Sequence, residues 1–227
     1  IAEQLPPGVL EIVDGDGELG AQLASSEHVD VVAHVGSSAT GRTIARSCAE
    51  RGAKAVLENG GNDPLIVDAG VDPRWAAKQA ATGAFANAGQ ICVSVERLYV
   101  VESVAAAFLD ELVAEARVWG DRIGPLVDRA QRSLVHDHVA DAVAKGARVL
   151  IGGAPRPGKG AFYPPTVLTD CTPEMALFCK ETFGPVAPVR VVADFETALA
   201  EAAEDRYGLA ATVLTADMAH AQQTWRV

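Results

Sequence analysis

Apolar and polar positions along this chain fall into short blocks whose period keeps switching between strand and helix. Residues 29–33 are a short apolar run and read as a strand. The small residues Gly36-Ser37-Ser38-Ala39-Thr40-Gly41 then open a helix expected to reach Arg51. Residues 55–57 predict the next strand, which ends in a turn carrying Glu58, and 64–68 predict another. Asp72 followed by Pro73 is a helix start, with an N-cap acceptor and a proline at the first helical position. That helix is expected over 73–88, ended by Gly89. Residues 98–101 read as a strand, and Ser103 as the cap of a helix to Trp119.

The rhythm continues beyond. A helix is expected over 128–145, stopped by Gly146. Strands follow at 147–151, 165–168 and 186–192, the first two separated by a Gly/Pro loop. Asp194 is read as the cap of a helix to Arg206, and Tyr207-Gly208 as a turn into a strand over 209–214. A helix begins after Asp217. Alternating strands and helices predict an α/β fold with a mostly parallel, doubly wound sheet flanked by helices. The expected domain seam is the turn at 59–62, giving domains 1–59 and 60–227.

Composition narrows the function classes. The 227 residues are 49% apolar with few aromatics, enough for a sizeable core. A net charge of −11 argues against nucleic acid and anionic membrane as partners, because both call for a basic face. No apolar run is long enough to span a bilayer. Cys48, Cys92, Cys171 and Cys179 form no C-x-x-C pair, which points to reduced thiols in a cytoplasmic protein. Both ends read as cut from something longer.

Candidate chemistry centres on Cys92. It follows Gly89-Gln90-Ile91 at a helix–strand junction, where flanking elements can hold a thiol at a cleft. A lone cysteine is otherwise a small buried apolar residue. Glu58, in Leu57-Glu58-Asn59-Gly60-Gly61-Asn62, is a carboxylate at a strand end, and a thiol plus a carboxylate base suits covalent acyl chemistry. The alternative is a solvated turn glutamate. The Gly36-Ser37 turn presents a helix N-terminus suited to phosphate, or is an ordinary turn. Glu181 and Phe183 alternate in an extended stretch before Gly184-Pro185. A carboxylate there can bind ribose hydroxyls while a ring packs on a heterocycle; the alternative is a turn before the next strand. His136 and His138, two apart on a helix, do not share a face and are read as surface residues. Cys171 and Cys179 are read as structural.

Together the Gly36-Ser37 turn, the Glu58 motif, Gly89-Gln90-Ile91-Cys92 and Glu181-Thr182-Phe183-Gly184-Pro185 resemble the NAD(P)-dependent aldehyde dehydrogenase superfamily, in its order and with its interval between Glu58 and Cys92. Tyr163-Pro164-Pro165-Thr166-Val167 and Tyr207-Gly208-Leu209 fit as well. The resemblance covers the chain as a central-to-late slice of a longer protein. It implies an aldehyde substrate, NAD or NADP as cofactor, and a homo-oligomer for the full-length protein. It implies that Cys92 is the nucleophile and Glu58 the base. It makes Gly36 and Ser37 pyrophosphate contacts, Glu181 the nicotinamide-ribose anchor and Phe183 its packing neighbour. It implies that residues 1–59 end a cofactor domain and that 60–227 are most of a catalytic one. A non-catalytic fragment and a coenzyme A-acylating enzyme are the alternatives. The slice lacks the family's side-chain oxyanion donor and adenine-ribose lysine. Asn59 stands where the family usually has a small or apolar residue, and the 120–125 loop is shorter than usual.

Overall fold

The computed structural model describes residues 4–226. They form two compact units, divided in sequence between Asn59 and Gly60. The smaller unit holds α1 (Gly17–Ser25), β1 (Val31–Gly36), α2 (Ser38–Arg51) and β2 (Lys54–Asn59). Asp16 caps α1 by accepting the Glu18 and Leu19 amides; this helix was not anticipated from the apolar pattern. β1 and β2 pair in parallel, from Val31 with Lys54 to Gly36 with Asn59. α2 ends at Gly52, whose φ of 74° makes the left-handed C-cap. Arg51 ties the layers together: its guanidinium donates to the carbonyls of Ala24 and Val29.

β1 and β2 are longer than the apolar runs suggested. β1 starts at Val31 rather than residue 29 and continues to Gly36, and β2 continues to Asn59. Glu58 therefore sits in the last rungs of a strand, opposite Val35, and not in a turn. The pairing ladder sets strand limits, and hydrophobicity reports only its middle.

The larger unit contains a six-stranded sheet in the order β5-β6-β7-β4-β3-β8. Its strands are β3 (Asp63–Val67), β4 (Val95–Val101), β5 (Arg148–Ile151), β6 (Thr166–Thr169), β7 (Val186–Val192) and β8 (Thr212–Leu214). Every pair is parallel except β5–β6. The helices are α3 (Pro73–Phe85), α4 (Glu102–Trp119), α5 (Arg129–Ala144), α6 (Ala176–Cys179), α7 (Phe195–Ala203) and α8 (Met218–Thr224).

Alternation along the strands divides the core between two faces. Leu65, Val67, Leu98, Val100 and Val167 belong to one cluster with Ala77, Ala80 and Phe85 of α3 and Phe108 and Leu112 of α4. Ile66, Tyr99 and Leu168 belong to the other, with Val135 and Val139 of α5 and Phe195 and Leu199 of α7. Alanines on α3 let that helix lie close to α4 and the sheet. Helices on both faces make this a doubly wound sheet, and an α/β class is what the alternating pattern predicted.

Several limits differ from expectation. α3 stops at Phe85, three residues early, because Asn87 and Ala88 take left-handed φ values of 51° and 57°. Ser103 caps nothing: α4 starts at Glu102, and Val101 at the N-cap offers no side-chain bond. α7 ends at Ala203 rather than 206, and β8 begins at Thr212 rather than 209. No helix among the described residues is long and apolar enough to cross a membrane.

Candidate active site

In the smaller unit, parallel pairing collects Gly36, Ser37 and Glu58 at the carboxyl ends of β1 and β2. Ser37 is the N-cap of α2. Its Oγ accepts the Thr40 amide at 3.2 Å and donates to Thr40 Oγ1 at 3.0 Å. The first turn of α2 lies close to β2, since a Cβ on Gly41 would meet Asn59 Oδ1 at 2.1 Å. Asn59 Oδ1 is buried and has no hydrogen-bond partner. The side chain of Glu58 is exposed.

In the larger unit, the thiol loop is built from a rare backbone run. Asn87, Ala88 and Gly89 are consecutively left-handed, with φ of 51°, 57° and 71°. Two of the three are non-glycine, and such conformations cost about 1–2 kcal/mol each. Gln90 holds the run in place. Asn87 Nδ2 donates to the Gln90 carbonyl, while Gln90 Nε2 donates to the carbonyls of Asn87 and Pro125. Gln90 Oε1 accepts the Val127 amide at 2.8 Å. Beyond this brace Cys92 is exposed, unlike Cys48 and Cys171.

Close backbone approaches bring three separated segments together here. A Cβ on Gly89 would lie 2.1 Å from the Gly184 carbonyl oxygen, and one on Gly61 would lie 2.5 Å from the Cys92 carbonyl oxygen. A Cβ on Gly60 would fall 2.0 Å from Glu181 Oε2. Glu181 is half-buried and Oε1 accepts the Gly61 amide at 3.3 Å. Burial, with the nearby Asp63 charge, raises its pKa above the ordinary carboxylate value. Phe183 is half-buried and left-handed, with φ of 51°. Glycine at 60, 61, 89 and 184 thus serves contact between backbones rather than flexibility. These segments gather at the amino ends of β3, β4 and β7, opposite the carboxyl ends where open parallel sheets usually place ligands.

A buried polar scaffold that the sequence did not announce supports this corner. Arg97 on β4 donates to the Asn62 carbonyl at 2.8 Å and pairs with Asp205 at 3.1 Å, both side chains almost wholly buried. Asn62 Nδ2 donates to the Phe178 carbonyl. Glu96 Oε2 and Oε1 accept the amides of Thr182 and Phe183 at 2.6 and 2.8 Å. Burial pushes its carboxyl up to about 8, against those two amides. None of these residues stands in a spacing that a reader of the sequence could single out.

The histidine reading needs correction. His136 and His138 are half-buried rather than on the surface. His136 Nδ1 pairs with Tyr163 Oη at 3.3 Å and His138 Nδ1 with Thr182 Oγ1 at 3.1 Å. Burial lowers the pKa of His138. Cys171 is buried and its thiol is pushed up to about 12. Cys179 is exposed, its Sγ donating to the Pro173 carbonyl at 2.8 Å, so it is no core residue.

Comparison with known proteins places the chain in a family. The sequence profile of the aldehyde dehydrogenase family matches residues 1–226. The chain belongs to the aldehyde dehydrogenase family. It is 42% identical over 226 residues to aminoaldehyde dehydrogenase 2, peroxisomal, of Malus domestica, covering 94% of this chain and 45% of that protein. It is 37% identical over 227 residues to Sad of Escherichia coli K12, named a succinate semialdehyde dehydrogenase using NAD(P)+, covering 96% and 49%. The crystal structure of succinate-semialdehyde dehydrogenase from Burkholderia pseudomallei superposes with a TM-score of 0.93 at 35% identity, covering 98% of this chain and 48% of that one. This aldehyde dehydrogenase chain spans about half the length of the curated relatives it matches.

Proposed function

We propose that the protein to which this chain belongs oxidises an aldehyde to a carboxylic acid, with Cys92 as nucleophile and Glu58 as base. The observation that carries the reading is the thiol loop. Its exposed Cys92 stands on a strained, braced backbone whose Gly89 touches the Glu181–Gly184 segment. Energy stored in two left-handed non-glycine residues is more readily understood at a working site than in a connection.

The chemistry follows from the groups. Cys92 Sγ, having lost its proton to a base, adds to the aldehyde carbon, and the carbonyl oxygen takes the developing charge. The Cys92 backbone N–H is one donor for that oxygen. NAD(P)+, when bound, supplies the acceptor for the hydride that leaves this carbon. The sulfur is then held as a thioester. Glu58 takes a proton from water, the hydroxide adds to the thioester, and the C–S bond breaks to release the acid and restore the thiol.

The fit of a dinucleotide rests on Glu181. Among the described residues, one of its oxygens accepts only the Gly61 amide and the other meets no donor, which suits ribose hydroxyls. Gly36 and Ser37, at an α2 terminus, supply amides suited to a pyrophosphate. In this reading residues 1–59 end the cofactor domain and 60–227 form most of the catalytic one; assembly into a homo-oligomer in the cytoplasm belongs to the full-length protein.

The test measures NAD(P)H formation from an aliphatic aldehyde by the full-length protein and by this chain, beside Cys92→Ala. Turnover lost in the variant supports the reading; an active Cys92→Ala ends it. An active full-length protein with an inert 227-residue chain limits the activity to the parent, a reading favoured by the half-length coverage of the relatives. Acyl-coenzyme A formed on adding coenzyme A would reassign the protein to the acylating branch.

A further inference from the structure

Thr182 and Phe183 have an unusual set of partners. Neither belongs to a helix or strand, yet side chains satisfy all four of their backbone groups. Glu96 accepts both amides, at 2.6 and 2.8 Å. Gln131 Nε2 donates to both carbonyls, at 2.9 and 3.0 Å. His138 engages the Thr182 hydroxyl at 3.1 Å. A phenylalanine with φ of 51° does not hold that conformation without such over-determination. The carboxyl group doing this is only 5% exposed, an expensive choice where a strand rung could have supplied acceptors.

Its address explains the choice. Glu96 lies on β4, whose first residue, Val95, follows the thiol loop directly. The bonds from Glu96 therefore fix residues 181–183 to the same strand that carries Cys92. Glu181, one residue before the clamped pair, is thereby set against Gly60 and Gly61.

We propose that Glu96 is a positioning residue: it clamps the Thr182–Phe183 backbone, and through it orients Glu181 and Phe183 toward the nicotinamide-ribose end of a dinucleotide. This rests on the dinucleotide reading of Glu181 and Phe183. Glu96 itself touches neither substrate nor cofactor. The charged groups that face it are Glu181 and Asp63, both acidic, with His138 held through Thr182. Glu96→Gln keeps the shape but offers one acceptor and one NH2, and the NH2 opposes one of the two amides.

Two measurements test the clamp: peptide-level hydrogen exchange over 178–186 of the 227-residue chain at pH 7 and pH 9, and the Kd of the full-length protein for NADH by fluorescence titration. In the native chain, protection of this segment, corrected for intrinsic exchange, is expected to change across about pH 8 as the carboxyl titrates. In Glu96→Gln it is expected to exchange at least tenfold faster and to lose that pH dependence. The Kd for NADH should rise about tenfold or more. A merely structural role would not produce a pH step that the amide abolishes. Gln131→Ala, at a partly exposed position, removes the carbonyl-side donors and should loosen the same segment if Glu96→Gln fails to fold. Unchanged protection in both variants overturns the clamp, and faster exchange with an unchanged Kd overturns the orienting role. A native full-length protein without NADH affinity refutes the dinucleotide reading, while the exchange comparison still decides the clamp.

Discussion

Gly89→Ala isolates the structural claim on which the thiol site depends. The new methyl would sit 2.1 Å from the Gly184 carbonyl oxygen, 2.4 Å from its carbon and 3.0 Å from the Pro185 nitrogen. All three are backbone atoms, so no side chain can swing aside. Forcing them apart is an overpacking cost of about 1–3 kcal/mol. Alanine at a φ of 71° adds about 1–2 kcal/mol of left-handed strain. Reduced freedom of the unfolded chain returns about 0.4–1 kcal/mol. The net expectation is a loss of about 3 kcal/mol. Urea unfolding followed by tryptophan fluorescence is the suitable assay, because Trp75, Trp119 and Trp225 all lie in the larger unit. Gly124→Ala is the control: its Cβ would meet nothing within 4 Å, and a change under about 0.5 kcal/mol is expected. If Gly89→Ala matches the native midpoint, or the control falls as far, the close approach of the thiol loop to Gly184 is refuted.

Two further outcomes follow from the same corner. In Gly60→Ala the methyl would meet the Glu181 carboxylate, Oε2 at 2.0 Å, which can move; stability should fall by under about 1 kcal/mol while NADH affinity drops about tenfold. An unaltered Kd would remove Glu181 from the cofactor site. For pH, the folded-state pKa of Glu96 is raised from 4.5 to about 8, so between those values the native state holds a proton that the unfolded chain releases. Stability from this group is therefore full below about 4.5, declines as pH rises toward about 8 by at most about 1.4 kcal/mol per unit, and then levels off. Urea midpoints of native and Glu96→Gln chains should diverge in slope across that window; parallel profiles would show that Glu96 is ionised throughout.

Much of the architecture was legible because local signals and tertiary outcome agree. The Asp72-Pro73 start, the Asp128 and Asp194 caps and the whole of β7 stand where the sequence puts them. These are short-range features, since a cap acts within its own first turn. Errors fell where distant contacts decide: the early stop of α3, the full length of β1 and β2, and the half-buried histidines. His138 reads as a surface residue on its own helix, and its contact with Thr182, 44 positions away, is not visible there.

The sequence by itself determined the alternating α/β order, the family, and which thiol and carboxylates merit attention. Their types and spacings are written in the chain and need no folding to be read. Tertiary structure alone decided that Gly60, Gly61, Gly89 and Gly184 are contact points, and that the thiol segment collects at the amino ends of the parallel strands. It alone recruited Glu96, Gln131 and His138 around one dipeptide. Those residues lie 86, 51 and 44 positions from Thr182 in sequence, and only the packing of β4 and α5 around residues 182–183 makes them neighbours.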